Sequence, residues 1–145
     1  MPERKVTYER FQDKAHSGIL VKAPSWVRLY IDGALALTDV MARVEAIETK
    51  EKHPVTVTGS NAENLMLNWL NEILKAYKTR KFVSRRITFE KFGGNTISAT
   101  LTGETHDPIR HGLAPEITAL DASRLAFGDG LLPEPHFFMK IQLNT

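Results

Sequence analysis

The sequence has no cysteine, so it can form neither a disulfide nor a cysteine-based metal or nucleophilic site. A reducing cytoplasm suits such a chain, and a cytoplasmic location is expected. No stretch approaches the roughly 20 apolar residues of a membrane-spanning helix, so no membrane partner is expected. The N-terminal MPERKVTYERFQDK is charged and lacks the apolar centre of a secretory leader. Net charge is only +2, too little to argue for a nucleic-acid partner by itself. Repeats, low-complexity tracts and Pro/Gly-rich linkers are missing. So are the nucleophile-elbow, Walker, Rossmann and HExxH patterns, and the Gly-Asp-Gly at 128–130 is too short for a phosphate loop. The scattered carboxylates cannot be paired into an acid and a base from sequence alone. The chain is therefore read as non-enzymatic.

What is present describes an ordinary globular domain. Its 145 residues, 42% hydrophobic and 25% charged, suit a single domain spanning residues 1–145. A chain of that size buries roughly two thirds of its unfolded surface. Residues 6–11 alternate weakly and residues 18–23 (GILVKA) are rich in aliphatics, so both read as strands. Ser25 then caps a helix predicted over residues 26–47, with Trp26, Tyr30, Ala34, Leu37, Met41 and Val44 at helical spacing. Arg28, Asp32, Asp39 and Arg43 fall on its other side. Gly33 inside it costs about 1 kcal/mol relative to alanine and points to close packing against a sheet.

After a polar connection at 48–53, residues 55–58 (VTVT) form a strand by β-branching. Asn61 caps a second helix over residues 62–78, with Leu65, Trp69, Ile73 and Tyr77 in one core stripe. Asn71 and Glu72 lie toward its polar face. The period then changes to two: residues 82–92 and 95–102 read as a hairpin turning through Gly93-Gly94-Asn95. A polar loop follows over 103–115. A strand within 116–127, breaks at 128–130 and 133–135, and a last strand over 137–143 complete the chain. This order predicts an α+β fold of two layers, with two helices on one face of a largely antiparallel mixed sheet.

Three segments resemble one known family. ENLMLNWLNEIL at 63–74 is similar to the archease pattern of leucines followed by W-L-N-E-L/I-L. GETHDPIRHGLAPEI at 103–117 resembles the family's G-E-x-x-D-x-x-x-H-x-x-x-x-E-I segment and supplies Glu104, Asp107, His111 and Glu116 at matching positions. DGALALTDVM at 32–41 is similar to the family's first helix. The segments occur in the family's order, and the resemblance covers nearly the whole chain. It implies an accessory protein that helps a GTP-dependent tRNA-splicing RNA ligase become guanylylated, with RNA met through the ligase. It also implies a bound divalent cation, calcium in the family. By the same resemblance Glu72, Glu104, Asp107 and His111 are candidate partner-binding residues.

The departures fall on the metal site. Where the family carries H-T-A-D-x-G, this chain has Asp13-Lys14-Ala15-His16-Ser17-Gly18. Where the family strand reads I-K-A-x-T, it has Ile117-Thr118-Ala119-Leu120-Asp121. Where the family ends in aspartate and an apolar residue, it ends Asn144-Thr145. The implied ligand set becomes Asp13, His16, Asn144 and the terminal carboxylate of Thr145. Calcium prefers six to eight oxygen ligands, with carboxylates supplying charge. Exchanging two aspartates for His16 and Asn144 removes two negative charges, so metal binding is expected to be weak or absent.

Simpler roles are open beside these. Asp107 and His111 fit a loop-ordering histidine–carboxylate hydrogen bond as well as a metal or proton-transfer pair. Residues 75–91 (KAYKTRKFVSRRITFEK) hold seven basic residues, from Lys75 to Lys91, against the single acid Glu90. With Tyr77, Phe82 and Phe89 interleaved they describe a possible RNA-binding module, or equally a solvated helix end and strand face. A chaperone-like interaction protein that keeps only the fold, without metal, is the third alternative.

Overall fold

Ser25 accepts a hydrogen bond from the Arg28 N–H at 3.1 Å and starts α1, Trp26–Met41, as an N-cap serine does. In this computed structural model, which describes residues 8–13, 16–112, 117–131 and 135–144, α1 stops short of the predicted 47. The reason lies in Asp39. Its Oδ1 accepts the Val44 N–H at 3.1 Å and its Oδ2 accepts the Tyr8 hydroxyl at 2.8 Å. A side chain that captures a nearby backbone N–H competes with the next helical turn. The Arg43 N–H meanwhile goes to the His111 carbonyl at 2.8 Å, and a short 3-10 turn, Val44–Ala46, follows. Asp32, predicted on the polar side, is buried, 3.5 Å from Arg28.

The second helix, α2 (Ala62–Arg80), begins at Asn61, whose side chain accepts the Asn64 N–H at 2.8 Å. It ends at Lys81, whose left-handed backbone (φ 55°) turns its N–H onto the Ala76 and Tyr77 carbonyls. The predicted stripe is core: Leu65, Trp69 and Ile73 are buried, with Met66, Leu70 and Leu74 beside them. Trp69 Nε1 donates to the Tyr30 carbonyl at 2.8 Å, and the Tyr30 hydroxyl donates to the Ala62 carbonyl at 2.5 Å. These bonds lock the helices together. A Cβ on Gly33 would sit 3.2 Å from Met139 Cε and 3.7 Å from Met66 Sδ, the close packing expected there.

The strands divide between two sheets. One is ordered β1-β2-β7-β6, from β1 (Glu9–Asp13), β2 (His16–Ala23), β6 (Ala119–Gly130) and β7 (His136–Asn144). The other is ordered β3-β5-β4, from β3 (Glu51–Thr58), β4 (Phe82–Gly93) and β5 (Thr96–Thr105). Every ladder among the described residues is antiparallel, and both helices touch both sheets. The α+β class is the predicted one. The separation into two sheets is new, because chain order does not say which edge a strand joins. Pro54 lies in β3, an edge strand, where a missing N–H costs no ladder bond. Gly94 and Asn95 (φ 59° each) make the predicted tight turn, a conformation with two positive φ values that suits a two-residue hairpin. Gly128 and Gly130, predicted as breaks, instead continue β6 opposite Phe138 and His136.

Candidate functional site

Glu104 is the centre of a polar network at the C-terminal end of β5. By the two-residue period of the strand, Ile97, Ala99, Leu101 and Gly103 face the core, and Glu104 faces the other way. It is nevertheless only 4% exposed, because two segments fold over it. The first runs from the 3-10 turn to β3: the Glu48 N–H donates to Glu104 Oε2 at 2.6 Å, and Lys50 Nζ stands 3.8 Å from Oε1. The second is α3 (Pro108–His111), capped by Asp107, whose Oδ1 accepts the Ile109 N–H at 3.0 Å. From α3, Arg110 makes a two-pronged contact with both Glu104 oxygens, 3.1 Å on the Nη1 side. Arg110 also reaches the Ala46 carbonyl at 3.3 Å, Asp107 at 3.3 Å and Glu48 at 3.7 Å.

His111 completes the cluster. The Asp107 N–H donates to its Nδ1 at 2.8 Å, which leaves Nε2 to carry the proton and donate to Glu104 Oε2 at 3.0 Å. The Arg110 guanidinium, against the cost of burial and aided by the Glu48 N–H and His111, holds the Glu104 carboxyl down at about 2. The Ile109 N–H lowers Asp107 in the same sense.

Of the four candidate partner-binding residues, then, the structure brings Glu104, Asp107 and His111 together. Asp107 and His111 meet through the Asp107 backbone N–H and not through the expected histidine–carboxylate hydrogen bond between them; the carboxylate that His111 reaches is Glu104, and that of Asp107 caps α3. Arg110 and Glu48 are members that sequence reasoning missed. An arginine three residues beyond the capping Asp107 was the available signal. Glu72 takes no contact with this cluster among the described residues. It lies on α2 where its charge acts on His53 of β3, whose protonation burial and Arg80 oppose.

The candidate metal residues are brought near one another by backbone register. Asp13 pairs with His16, and Ser17 pairs with Leu143, so the start of β2 lies beside the end of β7 at Asn144. Thr145 and Glu116 lie outside the described residues. The Asn144 carbonyl accepts both the N–H and the hydroxyl of Thr118 at 2.7 and 3.1 Å, and Lys78 of α2 donates to the Thr118 carbonyl. One residue earlier in α2, the Tyr77 ring meets His106 edge-on at 5.6 Å, and His106 lies 5.6 Å from His111. The last turn of α2 thus links the Asn144 end of β7 to the Glu104 network.

Residues 8–129 match the archease protein family (MTH1598/TM1083). The chain belongs to the archease family. The archease of Pyrococcus abyssi is 31% identical over 116 residues, covering 78% of this chain and 82% of the relative. That of Methanosarcina mazei is 25% identical over 129 residues, covering 86% and 88%. That of Pyrobaculum neutrophilum is 33% identical over 86 residues, covering 57% and 58%. The solution structure of Methanobacterium thermoautotrophicum protein 1598 shares the fold, with a TM-score of 0.68 over 95% of this chain and 98% of that one, at 20% identity.

The archease cation can be tested against the donors this chain offers. Among the described residues no group of three or more His, Asp or Glu side chains is placed to hold a metal. The Asn144 side-chain oxygen already accepts from Gln142 Nε2 at 3.2 Å. The set that the resemblance implies, two carboxylates, one imidazole and one amide oxygen, carries less negative charge than a hard cation prefers.

The basic stretch does not form a stacking surface. Phe82 is buried, and Phe89 packs on Trp69 at 5.6 Å and on Phe92 at 5.3 Å. Lys81 lies over the Tyr77 ring at 5.0 Å, and Arg85 donates to the Val44 carbonyl at 2.9 Å. Base stacking needs free aromatic faces, and these rings are spent on the fold. No helix among the described residues is long and apolar enough to cross a membrane.

Proposed function

We propose that this protein is an accessory factor of a GTP-dependent tRNA-splicing RNA ligase, raising its guanylylation and turnover without itself catalysing a reaction. The observation that carries the proposal is the family match over residues 8–129. It is supported by the network at one end of the molecule, in which buried Glu104 and His111 hold the partly exposed Arg110 and Asp107. In this proposal the network is a docking element. Its groups hold one another, and its two short covering segments present a fixed shape to a partner. The donors around Asp13, His16 and Asn144 make any divalent cation weakly held, so the activity proposed here does not depend on one. The location proposed is cytoplasmic, where the ligase works.

The test is direct. Substoichiometric protein added to a cognate ligase with labelled GTP is expected to raise the rate of ligase guanylylation, with and without a chelator. A ligase whose guanylylation rate is unchanged by the protein refutes the proposal.

A further inference from the structure

The β1-β2-β7-β6 sheet has a face turned away from the helices, and that face carries lysines and a ring that the core does not use. Ile19, Val21, Met139 and Ile141 are buried in the core, so their strand neighbours Leu20, Lys22, Phe138 and Lys140 face outward. Lys22 stands directly opposite Phe138, and Lys140 stands opposite Leu20. Phe138 takes no part in the hydrophobic core, unlike its neighbour Phe137. It leans across the edge strand β6 instead: a Cβ on Gly128 would meet its Cε1 and Cζ at 3.5 Å. His136 lies over Gly130 in the same way, and the two rings are 6.4 Å apart. A ring laid over a glycine turns one face to the sheet and the other to solvent, and Phe138 is only partly buried.

Charge selects the occupant. Lys22 and Lys140 are both exposed, and neither makes an ion pair with a described residue. The Lys140 ammonium lies over the Phe11 ring at 4.6 Å. On β6 the residues opposite Lys140 and Phe138 are Ala126 and Gly128, which carry no charge. Among the described residues the one carboxylate in register with this cluster is Glu9, across from Leu20 on the edge strand β1. Cations beside a half-exposed ring are the parts with which a protein holds a nucleic-acid strand: the cations meet phosphates and the ring stacks on a base. A duplex would meet the lysines but keeps its bases stacked on one another, so the ring calls for an unpaired strand. Aromatics on the open face of a four-stranded sheet are one of the arrangements that stack RNA bases.

We propose that the outer face of this sheet binds single-stranded RNA, with Phe138 stacking on one base and Lys22 and Lys140 holding the flanking phosphates. The choice of RNA rests on the accessory role proposed above, since the ligase joins RNA, but the binding test needs no ligase. A fluorescein-labelled oligouridylate of about ten residues, within the usual span of such sites, is titrated with the intact protein and followed by anisotropy at several salt concentrations. Two phosphate contacts on a single strand predict a slope of log affinity against log salt of about −1.4. Lys22→Ala combined with Lys140→Ala should bring that slope close to zero. Phe138→Leu should weaken binding by about fivefold or more with the slope unchanged, and Phe138→Tyr, which keeps the ring, should bind as the wild type does. Because Phe138 lies off the core, Phe138→Leu should keep the wild-type Tm; should it unfold, the lysine variants still decide. No anisotropy change at the lowest salt overturns the proposal and leaves the accessory role standing. Binding that survives in the double lysine variant but is lost in Lys75→Ala combined with Lys91→Ala also overturns it, because the strand would then lie on the other basic stretch. A wild-type protein that binds the strand but leaves ligase guanylylation unchanged refutes the accessory role and leaves the strand-binding face standing.

Discussion

Replacing Glu104 by glutamine should cost this protein stability in a way that depends on pH. The substitution keeps the shape and an oxygen able to accept the Glu48 and His111 N–H groups, and it removes the charge that Arg110 grips. A carboxyl held at about 2 rather than 4.5 contributes about 3 kcal/mol of folding free energy at neutral pH. Arg110 is 37% exposed, so solvent screening reduces its share, and about 2 kcal/mol is the expected loss. For a domain of this length that lowers Tm by roughly 6–10 °C. The sign follows from the depressed folded-state value. The stabilisation is complete above the unfolded-state value near 4.5 and is lost as the pH falls toward 2. Urea unfolding of wild type and Glu104→Gln, followed by tryptophan emission at pH 7, 5 and 3, reads this directly. The gap between the two proteins should be about 2 kcal/mol at pH 7 and should shrink at pH 3. An equal gap at pH 3 and pH 7, or one below about 0.5 kcal/mol at pH 7, would show that the charge of Glu104 does not stabilise the fold.

Two glycines should respond in opposite ways to alanine. At Gly103 a Cβ would lie 1.8 Å from the Val83 carbonyl oxygen, which backbone must move to relieve. Gly103→Ala should therefore lose several kcal/mol or fail to fold, as judged by urea midpoint. At Gly33 the nearest neighbour is the flexible end of Met139 at 3.2 Å, and alanine gains about 1 kcal/mol of helix propensity. Gly33→Ala should leave Tm within a few degrees of wild type or raise it, and a fall of 10 °C would contradict the packing described. Millimolar calcium should raise Tm by little, since binding stabilises only when the ligand exceeds its dissociation constant. His16→Asp combined with Asn144→Asp should restore divalent affinity measurable by calorimetry, and unchanged affinity would mean these positions do not share a site.

The helices and their buried stripes were legible because the information is local. Caps at Ser25 and Asn61 and apolar residues three and four apart describe an element without knowledge of its neighbours. The Gly94–Asn95 turn was legible for the same reason. The early end of α1 was not. Val44 continues the helical stripe, and what halts the helix is a contest for its N–H between Asp39 and the next turn, together with a bond from Arg43 to a residue 68 positions later (111 − 43). The division into two sheets was hidden likewise, because strand composition is the same whichever edge a strand joins.

The candidate site shows where the boundary lies. Glu104, Asp107 and His111 fall within eight residues, and their spacing was visible as a motif. Glu48 sits 56 residues away and contributes a backbone N–H, a donor that every residue but proline carries and that no sequence pattern can mark. The partner that decides the electrostatics, Arg110, was visible in the string but not assignable. An arginine after Asp107 suits a solvated turn as well as it suits a buried carboxylate. What separates those outcomes is the burial of Glu104. A strand residue on the face away from the core is normally solvated and needs no cation. Here the 3-10 turn and α3 close over it, and once it is out of water an ionised carboxylate must be paired or neutralised. The same covering that makes the network obligatory for the fold gives this end of the molecule its fixed shape. A partner docking there would meet a surface already ordered, with little conformational entropy left to lose.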